Sequence, residues 1–374
     1  MVLQHTINSI PKSYHVMVMG GGPAGATTAF RLAQKGYRVV LLERQATPPS
    51  FKIGESLPPT VNPLLKELGL SEQMALSSHQ RAYGNQSAWG SDQIQSQDFI
   101  FNPYGSGWRL DRIGFDDLLR QMAQQAGVRL LWSTRMLTSR YVDEQWQIKV
   151  QIGHKQESLQ APWIVDATGR SAGFARQKKI QRTRHDRLIA YVQCFERSAT
   201  DEDTTTLIES FEQGWWYTAS LPQMQRVVVL LTDHDTEAAR TARTFTGLCE
   251  LIAKTKHIQA KLGHAQPQGK LITTAAGGSR LDQFHGEGWL AVGDAALAFD
   301  PLSSQGIMTA LYCANKAADA LASALDKEEK AVFDYGVLLE KIHAAYLTSY
   351  HNFYAYENRW PNQAFWQRRR RNRP

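Results

Sequence analysis

Cysteine is almost missing from this chain. Cys194, Cys249 and Cys313 are the only three in 374 residues, odd in number and far apart. That argues against a disulfide framework and a thiolate metal cluster, and it suits a reducing, cytoplasmic compartment. Long apolar runs are missing too. None approaches the ~20 residues that span a bilayer, so no membrane span is expected. The N-terminal stretch MVLQHTINSIPKSYH has neither an apolar signal core nor a small-residue cleavage site, so no secretory signal is expected. The eleven histidines are scattered without ligand spacing, which predicts no metal centre. Excess basic charge is scarce outside one place. The formal net charge is +7, but Arg368, Arg369, Arg370, Arg371 and Arg373 sit in the last seven residues, and without them it is +2. Nucleic-acid binding wants basic residues spread over a face with aromatics between them, so no nucleic-acid partner is expected. The arginine run reads as a solvated, frayed tail or as a docking element for an acidic partner surface.

What is present begins at Val16. The stretch VMVMGGGPAGATTAFRLAQKGYRVVLLE runs from there to Glu43. A short apolar strand precedes Gly20, Gly22 and Gly25 in G-x-G-x-x-G spacing, with Pro23 and Ala24 inside the motif. A helical pattern and a second apolar strand follow. This is a βαβ unit of the dinucleotide-binding kind. Gly20 allows the tight turn out of the strand. Gly22 removes a side chain where the backbone must meet a pyrophosphate. Gly25 lets the helix pack close to the sheet. The helix N-terminus offers free N–H groups and a positive dipole end. Glu43 lies near the spacing of an acid that bonds ribose hydroxyls.

Hydrophobic residues make up 43% and charged residues 21%, as in a globular chain, but the length exceeds one ordinary core. After Glu43 come an extended path around Pro48-Pro49, the loop Gly54-Glu55-Ser56 and a proline-started helix from Pro58 to Gly69. Residues 77–107 are polar, a loop or ribbon leaving the first domain. A helical pattern at 109–120, a strand at 128–132, a meander through 141–152 and a strand ending at Asp166 follow. Residues 188–232 read as four β-strands, and one helix from about Thr236 to Lys256 comes next. Gly288–Val292 is a buried strand, turning at Gly293-Asp294 into a loop and a long apolar helix. Residues 330–366 are helical, with Tyr346, Tyr350, Phe353 and Tyr354 at core spacing. The expected fold is α/β (α+β overall). A discontinuous Rossmann-like domain covers 1–82, 108–184 and 276–325. A mostly antiparallel sheet domain covers 83–107 and 185–275, and a helical segment with a basic tail covers 326–374.

Three separated pieces point at one ligand: the glycine loop, the Asp166–Arg170 turn, and Gly293-Asp294 with Pro301, Ser304, Gly306 and Ile307. A nicotinamide dinucleotide does not need the third piece; a flavin does. At GGGPAG, LDRIGFDD, DATGRS and GDAALAFDPLSSQGI the chain resembles FAD-dependent oxidoreductases of the para-hydroxybenzoate hydroxylase superfamily. GESLPP and FDPLSSQG are similar to the branch that holds flavin-dependent halogenases, geranylgeranyl reductases and protein-modifying flavoproteins. Chain length, GWWYTASLP and the ending ENRWPNQAFWQRRRR resemble most the last group, which helps make the cysteine tryptophylquinone of bacterial lysine and glycine oxidases.

The resemblance implies FAD as cofactor. Gly20, Gly22 and Gly25 would face its pyrophosphate, Glu43 its adenine ribose, and Arg44 its ADP half. Ser56 and Arg112 would reach its phosphates or ribityl chain, Gly293 and Asp294 the ribityl–pyrophosphate region, and Pro301 to Ile307 its ring. Arg112 could instead form a surface salt bridge to Asp116, and Asp166 could be a strand-end cap rather than a cofactor contact. Glu55, Trp216 and Tyr217 are candidates for the substrate side; no catalytic acid or base is assigned. The implied activity is oxygenation, with O2, of a tryptophan in the precursor of a quinone-cofactor amino-acid oxidase. Electrons would come from NAD(P)H or a separate reductase. Tryptophan halogenases place a lysine downstream of the Gly-Glu segment, whereas this chain has none between Lys66 and Lys149, and Trp215-Trp216 replaces their W-x-W. The alternatives are a monooxygenase or halogenase acting on a free aromatic molecule, and a maturation chaperone that holds FAD without turnover.

Overall fold

A computed structural model describes residues 11–47, 51–198, 201–328 and 330–371. The elements that position the site are, in chain order, β1 (Val16–Met19), α1 (Pro23–Gln34), β2 (Val39–Leu42), α2 (Arg112–Gln125), β3 (Arg129–Leu131), β4 (Trp163–Asp166), β5 (Leu188–Glu196), β6 (Thr206–Phe211), β7 (Gly214–Leu221), β8 (Gln225–Asp233), β9 (Pro267–Ala275), β10 (Trp289–Ala291), α3 (Gly306–Leu325), α4 (Lys330–Tyr356) and α5 (Ala364–Arg371).

β1 and β2 are VMVM and VVLL, buried at every position. Continuous apolar runs of this kind mark parallel strands covered on both faces. They lie in a six-stranded sheet ordered 285–286, β10, β4, β1, β2, β3, parallel except for its first pair. β10 comes from far along the chain yet pairs with β4, Ile164 opposite Trp289. The first region is therefore closed by residues more than 120 positions apart.

The second sheet has seven strands, ordered β9, β5, β8, β7, β6, 84–88 and 95–98. It is antiparallel apart from the β6 pairing with 84–88. The polar stretch 77–107 contributes two antiparallel strands, Gly84–Ala88 and Gln95–Asp98, to this sheet, the ribbon of the two expected alternatives. All four residues of the outermost strand, Gln95–Asp98, are exposed, so it has no apolar face to announce it. One face of this sheet joins the main core with Ala190, Trp215, Val229 and Leu231. Its other face carries a second core with Tyr191, Trp216, Val228 and Leu230. Helices cover that second core, but not the single helix expected at 236–256. Glu237–Thr241 and Phe245–Ile252 each start on their own threonine cap, Thr236 and Thr244, and His257–Leu262 follows.

Tyr346, Tyr350 and Tyr354 of α4 are buried as their spacing predicts, while Phe353, one position off that stripe, is exposed. The expectation for the arginine run is corrected. It forms α5 and turns inward. Arg369 is 2% exposed and donates to Asp233 at 2.9 Å. Arg368 pairs with Asp233 and Asp235 at 2.9 and 2.7 Å, and Arg370 donates to the Glu357 carbonyl at 2.5 Å. These three are anchors, neither a solvated tail nor a free docking element; Arg373 lies outside the described residues. No described helix is long and apolar enough to cross a membrane.

Candidate active site

The glycines divide by what surrounds them. Gly20 has φ +105°, and a Cβ there would sit 2.3 Å from the Ala167 carbonyl oxygen. A Cβ on Gly25 would sit 1.9 Å from the Gly20 carbonyl oxygen. Both positions are fixed by backbone packing, as the motif predicts. Gly22 differs: its Cβ would meet nothing within 4 Å. With Pro23 and Ala24 it lines a cavity of about 330 Å³. Ala167 and Val292 also line it, so the cavity opens past the C-terminal ends of β4 and β10, where ligands of open α/β sheets bind.

Glu43 is pinned at the glycine loop. One carboxylate oxygen accepts the Gly21 N–H and the other the Gln45 N–H, both at 2.8 Å. Arg120, buried on α2, grips the loop from the other side through the Gly21 carbonyl at 3.2 Å. Nothing in its spacing marks that role. Arg44 is exposed and does not line the cavity.

Gly54, Glu55, Ser56, Arg112, Asp294, Pro301, Ser304, Gly306 and Ile307 are brought together on the cavity wall. Arg112 donates to the Ile53 and Gly54 carbonyls at 2.5 and 2.9 Å, and to Asp116 at 3.1 Å. The salt bridge to Asp116 therefore exists, but in the cavity wall and not on the surface. The Arg112 Nε is buried without a partner. Gly293 has φ +60° and lets its turn approach α1, since a Cβ there would meet the Ala24 methyl at 2.6 Å. Arg170 lies 3.5 Å from Asp294, and Arg182 holds the turn through the Asp294 and Ala295 carbonyls.

Two further expected site residues, besides Arg44, fall elsewhere. Asp166 is completely buried and does not line the cavity. Its oxygens accept from Thr168 and from the Ala175 N–H at 2.6–3.1 Å, so it caps a strand end and the helix after it. Trp216 points into the second core. Adjacent strand residues face opposite ways, so Trp216 and Tyr217 cannot share a wall; Trp215 and Tyr217 do.

At this end of the cavity Glu55 is 3% exposed. One of its oxygens accepts from the Tyr217 hydroxyl at 3.2 Å and the Gly54 N–H at 3.0 Å. Burial, then the adjacent Glu55 carboxylate, pushes the Tyr217 phenol well above its ordinary pKa. Arg109, missed by spacing, lies buried behind them. It donates to Ser56, to Thr206 at 2.9 Å and to the Thr204 carbonyl at 3.1 Å. Asp300 was missed as well. It lines the cavity at 1% exposure, and burial, then Asp186, raises its carboxyl to about 7. It accepts from the Leu302 N–H and the Tyr354 hydroxyl, each at 2.8 Å, and Tyr354 accepts from the Trp215 indole at 3.0 Å. Among the described residues that line the cavity there is no lysine, histidine or cysteine. Lys66 is exposed on the helix Asn62–Glu67.

The family model of the FAD binding domain matches residues 13–334. This chain belongs to that FAD-binding family. The family member is 32% identical over 364 residues to LodB, an FAD-dependent oxidoreductase of Marinomonas mediterranea, across 96% of this chain and 97% of LodB. It is also similar to the structure of QhpG, a peptidyl tryptophan dihydroxylase essential for tryptophylquinone cofactor biogenesis. Identity there is 25% and the TM-score 0.72, over 96% of this chain and 78% of QhpG. The flavin-dependent halogenase CmlS shares the fold, with TM-score 0.87 at 24% identity over 97% of this chain and 68% of CmlS. The family member is an FAD-dependent oxidoreductase, and FAD is its cofactor.

Proposed function

We propose that this oxidoreductase hydroxylates a tryptophan side chain in the precursor of a partner amino-acid oxidase, in the cytoplasm, as a step toward a cysteine tryptophylquinone. The residues fit FAD. Gly22 leaves open the space beside the loop, and the Arg112 Nε is buried without a partner. Among helices of at least eight residues with a described N-cap, α1 and α3 border the cavity and lack a side-chain cap. α2 and Phe245–Ile252 have one, from Asp111 and Thr244. Uncapped N–H groups at two helix ends suit phosphate and an electron-rich ring. In this reading Gly22 to Ala24, Ser56, Arg112 and Asp294 hold the extended part of FAD, Glu43 its ribose, and Pro301 to Ile307 its ring. Bound and reduced, FAD supplies the activation of O2 and the oxygen transfer.

The observation that carries the substrate reading is the wall beyond that ring. Trp215, Ile208, Val229 and Leu231 make it apolar, and the Glu55–Tyr217 pair is its polar contact. An indole would bury its ring there and give its N–H to Glu55, while the missing lysine speaks against hypohalous acid chemistry. The likeness to QhpG, a peptidyl tryptophan dihydroxylase, supports a peptidyl substrate. Halogenation of a free aromatic molecule is the second reading, favoured by the shared fold of CmlS.

Co-expression with the precursor, followed by its mass and fragment map, tests the first reading. A gain of one or two oxygens on a tryptophan is expected, and it should disappear with Glu55→Gln. An unmodified precursor, together with a halogenated free indole when halide and reduced flavin are supplied, would overturn it.

A further inference from the structure

Trp215 begins a line of indoles that leaves the cavity. Its ring centroid lies 6.3 Å from that of Trp89. Trp89 lies 5.4 Å from Trp366, and Trp366 stacks on Trp360 at 5.9 Å. Trp215, Trp89 and Trp366 are buried, and Trp360 is half-buried at the molecular surface. The four come from β7, the turn after 84–88, the segment before α5 and α5 itself. The buried three each give the indole N–H to an acceptor: the Tyr354 hydroxyl, the Phe353 carbonyl and the Phe211 carbonyl, at 2.9–3.0 Å. An accepting oxygen on the N–H stabilises positive charge on the ring. Arg359 lies 4.3 Å over Trp360, but its charge is offset by Glu357 at 2.6 Å. Tyrosines branch off through Tyr354, Tyr350 and Tyr346, all buried, whereas the tryptophan line ends on the half-buried indole of Trp360.

We propose that Trp215, Trp89, Trp366 and Trp360 form an electron-transfer path from the flavin cavity to the surface. A one-electron oxidant in the cavity, such as light-excited FAD, takes an electron from Trp215 and is itself reduced by one electron. Trp89 then refills Trp215, Trp366 refills Trp89, and Trp360 refills Trp366. The oxidised Trp360 loses its N–H proton to water and is restored by one electron and one proton from a surface reductant of the thiol class. In turnover with O2 the same path would drain stray oxidising equivalents from the cavity. The inference rests on FAD lying in the cavity and not on the choice of substrate. Packing alone explains contacts between these rings, but it does not call for an unbroken line from cavity wall to solvent.

The test uses the full-length, FAD-loaded protein under blue light without oxygen, with a thiol present and the dark rate subtracted. Flavin bleaching is followed optically and the radical by electron paramagnetic resonance. The wild type should bleach and show an indole radical. Trp360→Phe should slow bleaching several-fold with FAD affinity and unfolding midpoint unchanged, and Trp89→Phe should slow it further. Trp163→Phe, at the other end of β4, should bleach at the wild-type rate. If Trp89→Phe does not fold, Trp360→Phe decides alone. Wild-type bleaching in Trp360→Phe, or equal slowing in Trp163→Phe, overturns the path.

Discussion

The cavity is bounded at one end by the glycine loop at 20–25 and backed, through Trp215 and Tyr354, by α5. Each stretch carries a run of one residue type, glycines in the first and arginines in the second. The glycine spacing itself encodes turn, close approach and helix start, although one partner is distant: Gly20 takes φ +105° and also abuts Ala167, 147 positions on, while Gly25 abuts Gly20 and Gly22 faces open space. The arginines are set by groups far away in sequence. Asp233 and Asp235 come from the end of β8, more than 130 positions earlier. A motif whose meaning lies in its own spacing survives reading in one dimension. A charge run whose meaning lies in its partners does not.

The sharpest way to break this contrast is Arg369→Ala. Asp233 is fully buried, and the pair is nearly inaccessible on both sides. Removing one partner strands a carboxylate that Arg368 alone must then serve, a loss of about 3–5 kcal/mol. Denaturant unfolding of variant and wild type measures it. A loss below about 1 kcal/mol would return the run to the status of a tail.

Asp300 sharpens the comparison from the cavity side, because α4 holds it through Tyr354. Its folded pKa of about 7 stands above the ~3.9 of an unfolded aspartate. The folded state therefore binds the proton more tightly. The stability from this group is complete below about pH 4 and is lost as pH rises through about 7. Asp300→Asn does not titrate, so the stability difference between wild type and variant should move against the wild type between those values. The expected size is on the order of 3–4 kcal/mol. A difference independent of pH would mean that Asp300 is ionised throughout.

Within the glycine loop, Gly25→Ala puts a methyl against a backbone oxygen that cannot move aside, and about 2–3 kcal/mol of stability should be lost. Gly22→Ala meets open space and should leave stability within about 0.5 kcal/mol, while its methyl enters the cavity and weakens FAD binding. Thermal unfolding paired with FAD titration separates the two. Equal losses of stability would erase the distinction between packing glycine and cavity glycine.

The parts that sequence alone revealed share a cause. β1 and β2 are apolar at every position, so their burial was written in four residues each. The Gly54–Ser56 and Pro301–Ile307 loops carried their motifs whole. What stayed hidden depends on a choice made by the fold. In Trp215-Trp216 alternation offers two faces, and only packing decides which face meets the cavity. Asp166 sits beside a glycine turn, as a ligand contact would, but the Ala175 N–H claims it from inside. Arg109 bonds Thr204 and Thr206 across 95 and 97 positions, and Asp300 bonds Tyr354 across 54. No local period encodes such pairs.

Of the two arginine variants, Arg368→Ala should have the smaller effect, and it isolates the role of depth. Arg368 adjoins Arg369 in sequence and shares Asp233 with it, yet its side chain is 38% exposed. Its main partner, Asp235, is held down to about 2, first by the hydrogen bonds from Arg368. Water screens that pair, so the shift does not convert to stability at face value. The loss should stay within about 1 kcal/mol and shrink further in salt. Asp233 keeps Arg369 in this variant, so no buried charge is stranded. Unfolding both alanine variants at low and high salt compares two adjacent arginines that differ mainly in burial. Arg369→Ala should be costly and little affected by salt, and Arg368→Ala mild and salt-sensitive. If Arg368→Ala costs as much as Arg369→Ala at both salt concentrations, then α5 docks through the surface cluster at Asp235, and burial of Asp233 is not what holds it.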